Sequence, residues 1–295
     1  YYYGTRFMSY VAYQYGPTNL IEWIKRKDQS KRGFASNFKN VFGLSISKAW
    51  DTWIDFERSF QDENINRLKK SLKLINLNNF QNLQLLFFKC NEIIKANNLD
   101  EGLIYIQISR GIASRNHNWS NDISPSLIIS SLHKQVFKNT KPVSLISSED
   151  IRWKCSYIKS TSLLGNVLLK QKALKKKAFE CVMYDKKGLI TEATTSNIWI
   201  IKNKEIYTPP LKKNILAGVT RKKVFEISKI LGIKSHEKEI KLEYLSKADA
   251  VFLTNSSSLM VMAKKIDNLK LRLDKDNIYN IIFNKFIEII NSYDK

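Results

Sequence analysis

Glycine, proline, cysteine and histidine are all scarce in this 295-residue chain, with 10, 5, 3 and 3 copies. So few Gly and Pro leave no stretch rich in them to mark a flexible hinge, and domain boundaries are soft. Cys90, Cys155 and Cys181 are widely spaced, odd in number and without CxxC or CxxH neighbours. That excludes a disulfide framework and a cysteine zinc site, and it reads as the reduced thiols of a cytosolic protein. His117, His133 and His236 are too scattered to hold a metal, and no HExxH is present. No apolar run approaches the roughly 18–20 residues of a membrane helix. The opening, YYYGTRFMSY, lacks a basic region followed by an apolar one, so no signal peptide is expected. It also lacks an initiator Met, which reads as a fragment. No internal repeat of 20–50 residues is visible.

What the chain does have is ordinary globular material, 43% hydrophobic and 26% charged, enough for one large or two ordinary domains. It also carries a net charge of +22. A charge of that size invites a nucleic-acid reading, but only 10 of the basic residues are Arg, against 39 Lys spread along the whole chain. KALKKKAF (172–179) is the single tight cluster. Nucleic-acid readout concentrates Arg and aromatics on one face. The expectation is therefore a solvated basic surface suited to drawing in anionic small molecules, with no nucleic-acid partner and no membrane.

The chain divides into unlike parts. Residues 1–64 read as helical and aromatic. Tyr10, Tyr13 and Tyr15 precede a Gly-Pro break, and Asn19 to Lys27 forms an amphipathic segment with Leu20, Ile21, Trp23 and Ile24 apolar. From Ser47 to about Asn76, the helical spacing of Trp50, Trp53, Phe56 and Phe60 predicts one face packed in a core. Beyond residue 101 the period becomes two, predicting strands at 103–109, 126–132, 179–185, 189–195 and 197–203, with KKG (186–188) as a hairpin turn. Helices are expected at Leu163–Lys177, Thr220–Ile230 and Lys275–Ile290. The mixture implies an α/β or α+β body.

Four segments carry chemistry. DIRWKCSYIKSTSLLGNVLLKQKA (150–173) holds Lys159 beside apolar residues. Burial disfavours an ammonium ion, so such a lysine loses its proton more readily and can condense with an aldehyde. LITEATTSNIWII (189–201) ends an apolar strand on Glu192, a carboxylate able to keep a ring nitrogen protonated, followed by Thr194, Thr195, Ser196 and Asn197 as short donors. NILAGVTRKKV (214–224) puts Gly218, Val219 and Thr220 at a helix start, where free N–H groups attract an anion such as phosphate. VFLTNSSSLMV (251–261) runs a strand into Asn255, Ser256, Ser257 and Ser258, a second hydroxyl-rich end for the same cup. Taken singly, each of these also reads as a surface lysine, a plain cap or a turn.

In this order and spacing the four segments resemble the fold-type IV pyridoxal-phosphate enzymes. These are the class IV aminotransferases, among them D-amino-acid and branched-chain transaminases, together with aminodeoxychorismate lyase. The resemblance runs from about Arg67 to the C-terminus and implies pyridoxal 5'-phosphate as cofactor. By motif, Lys159 falls on the Schiff-base lysine and proton shuttle, and Glu192 on the partner of the pyridine nitrogen. Leu216 falls on the residue packed against the ring, and Val219, Thr220 and Ser256 on the phosphate site. INRLKKSLKLI (65–75) is similar to the family's early helix, whose Arg, here Arg67, reaches the phosphate. SRGIASRNHNW (109–119) resembles the Arg-x-His loop of the D-amino-acid transaminases, so Arg115 and His117 fall on the pair that grips a substrate carboxylate. The implied reaction is a ping-pong transamination of amino and 2-oxo acids, with D-alanine and 2-oxoglutarate as the favoured pair, in a cytoplasmic homodimer. Branched-chain transamination and aminodeoxychorismate lyase chemistry stay open.

The N-terminus departs from the family. Its usual Arg-Gly-x-x-Phe-Gly-Asp-Gly segment has no counterpart; KRGFASNF (31–38) lacks the Gly-Asp-Gly turn. Residues 1–62 weakly resemble helical bacterial metallopeptidase-like proteins. The expected organisation is a helical segment at 1–64, the remainder of a small α+β domain at 65–138, and a large cofactor-binding domain at 139–295. A non-catalytic interaction protein on a disabled enzyme body is the reading from another class.

Overall fold

The computed structural model describes residues 34–43, 45–78, 84–99, 101–120, 122–134, 141–212 and 214–294, with positions 19, 21, 23 and 80 besides. Residues 65–282 make one compact unit; residues 1–64 with 283–295 make another.

The larger unit is built on two sheets. Strands β1 (Gly102–Ser109) and β2 (Ser126–His133) pair antiparallel as a two-stranded ribbon. The other strands are β3 (Val143–Glu149), β4 (Glu180–Tyr184), β5 (Ile190–Ala193), β6 (Asn197–Lys202), β7 (Glu205–Thr208), β8 (Ser235–Glu237), β9 (Ala250–Asn255), β10 (Leu259–Ile266) and β11 (Leu269–Lys270). Among the described residues these nine form one mixed sheet in the order β5-β4-β3-β10-β9-β6-β7-β8, with β11 on β10. β3 runs parallel to both β4 and β10, and a helix at Leu164–Lys175 makes the β3-to-β4 crossover, as parallel pairing requires.

Strand β6 explains why the sheet holds. Its first five residues are all buried, which marks a central strand covered on both faces. Ile198 and Ile200 point into a cluster with Leu145, Val182, Val251, Leu253 and Ala263. Trp199 points the other way. Its ring stacks on Phe252 at 5.7 Å and meets Phe225 of the helix Val219–Ile230 at 5.0 Å, while its indole N–H donates to Thr254 Oγ1 at 3.0 Å. An aromatic of that size, fully buried with its polar atom satisfied, is worth about 3–5 kcal/mol against Ala.

Register then brings the polar turns together. Asn197 pairs with Thr254, and Asn255 with Leu259. The β5–β6 turn (194–196) and the β9–β10 turn (256–258) therefore project from the same end of neighbouring strands. The KKG hairpin is present, with Gly188 at φ +73° and its N–H donating to Asp185 O at 2.8 Å.

In the smaller unit, Trp23 packs edge-on against Phe38 at 4.8 Å and against Phe42 at 6.1 Å, both rings carried by the helix Phe34–Phe42. The expected long helix is present as Ile46–Leu74. Tyr10, Tyr13, Tyr15 and most of 19–27 lie outside the described residues, as do the side chains of Trp50, Trp53, Phe56 and Phe60. No helix among the described residues is long and apolar enough to cross a membrane.

Candidate active site

The larger unit holds a cavity of about 350 Å³. Arg67, Lys159, Glu192, Leu216, Val219, Thr220 and Ser256 all line it, although they come from separate segments of the chain. The Arg115–His117 pair does not: both residues are exposed on the loop between β1 and β2 and neither lines the cavity.

Lys159 sits on the irregular loop between β3 and the helix Leu164–Lys175. Its main-chain N–H donates to Ser71 Oγ at 3.2 Å. With the cavity open its side chain is accessible, yet protein atoms crowd it enough that burial pushes the amine below its ordinary pKa. The Arg67 charge pushes the same way and Glu192 opposes both. The sequence expectation attributed this shift to apolar neighbours alone; a cation 92 positions earlier in the chain adds to it.

Glu192 stands one residue before the end of β5 with its carboxylate almost fully enclosed, the side chain 7% exposed. Arg152 Nη1 donates to Oε1, while Asn197 Nδ2 at 3.1 Å and Leu216 N at 3.2 Å serve Oε2. Burial pushes this carboxyl up to about 7 against the pull of Arg152. Arg152 is itself shared. Its side chain, 3% exposed, also binds Asp150 through Nε at 2.9 Å and Nη2 at 2.7 Å, and gives a bond to Asn214 O at 2.8 Å. Burial alone would raise Asp150; its bonds to Arg152 outweigh that and hold it below the usual carboxylate range.

The helix Val219–Ile230 begins after Gly218, whose backbone is extended (φ −67°, ψ 135°), and no side chain caps it. Gly218, Val219 and Thr220 all line the cavity, so uncapped N–H groups and the positive end of the helix dipole meet there. The glycine is required from behind rather than from the cavity: a Cβ at 218 would collide with Asn197 Oδ1.

The hydroxyl run at 194–196 differs from expectation. Its groups do not serve as free donors, because Glu180 takes them. That fully buried carboxylate accepts from Thr194 Oγ1 at 3.2 Å, Thr195 N at 2.8 Å, Thr195 Oγ1 at 2.6 Å and Ser196 Oγ at 2.7 Å. A buried carboxylate needs such donors, and the local sequence supplies them. Asn255 links this turn to the next. Its Nδ2 donates to Ser196 Oγ at 2.9 Å, and its Oδ1 accepts from Ser257 N at 3.0 Å and Ser258 N at 2.8 Å, leaving Ser256 on the cavity.

Sequence reasoning passed over Ser71, Asp150, Arg152 and Glu180. The Asp-x-Arg spacing at 150–152 was the one signal, since opposite charges set around the apolar Ile151 and Trp153 need partners where they are buried. The partner, Glu192, is 40 positions away.

The family model for amino-transferase class IV matches residues 52–266. The chain belongs to the class IV aminotransferases. Its sequence is 34% identical over 208 residues to a D-alanine aminotransferase of Bacillus licheniformis, covering 70% of this chain and 73% of that one. Its fold is similar to the T.th. branched-chain amino acid aminotransferase with pyridoxamine 5'-phosphate, at TM-score 0.71 and 19% identity over 77% of each chain. A Legionella pneumophila protein named as a putative 4-amino-4-deoxychorismate lyase gives TM-score 0.69 at 26% identity, over 76% of this chain and 83% of that one.

This class IV chain is thus a pyridoxal-phosphate-dependent aminotransferase of fold type IV. The cavity suits that cofactor on its own chemistry. It offers one amine of lowered proton affinity, one enclosed carboxylate with donors on both oxygens, and one uncapped helix N-terminus, with Arg67 also on its wall.

Proposed function

We propose that this aminotransferase works on D-amino acids such as D-alanine, with a 2-oxo acid such as 2-oxoglutarate as acceptor. The observation that carries the reading is the meeting of the Lys159 amine, the Glu192 carboxylate and the uncapped helix start at 219 on one cavity. Bound pyridoxal phosphate supplies the electron sink that lets the substrate α-carbon give up a proton.

The chain's own residues do the rest. The Lys159 amine, its proton affinity lowered by crowding and by Arg67, takes the proton from the substrate α-carbon and passes it on to the cofactor. Glu192 holds the ring nitrogen, and Leu216 packs on the ring. Arg67, the N–H groups of Val219 and Thr220, and the Ser256 hydroxyl hold the phosphate. Arg115 and His117 grip the substrate carboxylate, the guanidinium with two parallel bonds. Because both are exposed and neither lines the cavity of its own chain, they act on the site of a second copy in a cytoplasmic homodimer.

The likeness to D-alanine aminotransferases supports the D-amino acid reading; the likeness to the Legionella protein favours a lyase as the second. A coupled assay with D-alanine and 2-oxoglutarate separates them, and borohydride reduction followed by peptide mass spectrometry locates the cofactor. Turnover with D-alanine and label on Lys159 are expected. Pyruvate release from aminodeoxychorismate without 2-oxo acid, or label elsewhere, overturns the proposal. Mixing two inactive variants, Lys159→Ala and Arg115→Met, tests the shared site. Each mixed dimer contains one intact site, so activity returns on mixing, and failure to return sinks the two-chain arrangement.

A further inference from the structure

The cofactor roles proposed above leave unexplained what fixes Lys159 in position, since it stands on an irregular loop. We infer that Ser71 is a positioning residue for Lys159. This rests on Lys159 being the cofactor lysine. Ser71 is buried, 5% exposed, in the last turns of the helix Ile46–Leu74. Its Oγ accepts the main-chain N–H of Lys159 at 3.2 Å, a bond between residues 88 positions apart. Neighbouring Ile158 is buried and its N–H returns locally to Cys155 O at 3.0 Å. The loop is therefore pinned from inside by its own turn and from outside by the helix.

The position of Ser71 on that helix adds meaning. Arg67 stands four residues earlier, one helical turn away and on the same face. Arg67 lines the cavity and lies near enough to Lys159 for its charge to act on the amine. One turn of helix thus carries both a guanidinium on the cavity wall and the hydroxyl that holds the lysine's backbone. A helix turn does not stretch, so the distance between phosphate site and lysine is set by 67 and 71 together. The side chain of Lys159 reaches the cavity while its main-chain N–H is held by Ser71. A group that must move a proton without losing its place needs that combination.

The test uses full-length Ser71→Ala, Ser71→Cys and Ser71→Thr. The hydroxyl is lost in the first, replaced by a weak acceptor of similar size in the second and retained in the third. Amide exchange of the peptide containing Lys159 reads the bond directly. Losing one such bond speeds exchange at that amide roughly fivefold in Ser71→Ala. In the loaded enzyme, kcat falls roughly fivefold with KM for D-alanine unchanged, because the substrate grip lies elsewhere. Ser71→Thr restores both readouts and Ser71→Cys neither. Unchanged exchange in Ser71→Ala, or Ser71→Cys performing as well as Ser71→Thr, overturns the inference. If borohydride labels a residue other than Lys159, the proposed function fails instead, while the exchange result still stands or falls on its own.

Discussion

Arg152 and Glu192 form an ion pair with almost no solvent contact, and the guanidinium is divided between Glu192 and Asp150. One guanidinium beside the cavity is thus shared by two carboxylates. A protonated ring nitrogen there would pair with the Glu192 carboxylate. The arrangement explains how a carboxylate can be enclosed yet ready for a cationic partner.

Breaking that pair from one side should cost more than removing it whole. Arg152→Met leaves Asp150 and Glu192 buried without their shared donor, a loss of about 3–5 kcal/mol. The double variant Arg152→Met, Glu192→Gln removes one of the stranded charges and should recover part of that stability. Urea unfolding of the two proteins decides; a double variant no more stable than the single one contradicts the account.

Glu192 also gives a pH signature. Its ordinary value near 4.5 is pushed up to about 7 in the folded chain by burial. The native state therefore binds an extra proton between those values. Stability relative to a neutral amide is full below about pH 4.5 and declines as pH rises to about 7, by at most about 3 kcal/mol. The cofactor-free wild type minus Glu192→Gln difference in unfolding free energy, measured from about pH 5 to 8, should fall with rising pH. A difference that stays flat or rises refutes the shift.

Gly218 is pressed from behind by Asn197. Gly218→Ala should displace the amide that serves both Glu192 and Leu216 O, and cost about 1–3 kcal/mol through overpacking. Cofactor affinity should weaken in parallel, read by absorbance titration. Normal affinity in a normally stable Gly218→Ala would show that the contact yields freely.

Glu180 gathers four donors from the 194–196 turn. Glu180→Gln turns one accepting oxygen into a donor and should lower stability by about 1–3 kcal/mol. Through Ser196 and Asn255 the loss reaches the 256–258 turn, so phosphate affinity should drop as well. A variant that loses stability with unchanged affinity for inorganic phosphate would separate the two turns.

Much of the larger unit was legible from residues alone. The strands expected at 103–109, 126–132, 179–185, 189–195 and 197–203 are present with ends moved by at most two residues, because each carries its own alternation or β-branched run. The helix at 220–230 is equally local. The strands at 143–149, 205–208, 235–237, 259–266 and 269–270 were not singled out: the first is rich in serine, the fourth is a buried apolar run without alternation, and the others span two to four residues, too short for a period to register.

The seven residues named for the cofactor came from motif order, and each lies on the cavity. What surrounds them did not follow from order. The hydroxyls at 194–196 look like ligand donors in one dimension, and only packing shows Glu180 consuming them. Residue order alone thus picked out groups that meet on one cavity, because amine, carboxylate and helix start are properties of short segments. Tertiary structure alone decided how those groups are tuned and held, through Arg152 on Glu192, Ser71 on Lys159 and Asn197 against Gly218. Those contacts join positions 21 to 88 apart, and proximity in space across such separations is set by how the sheet folds rather than by any local pattern.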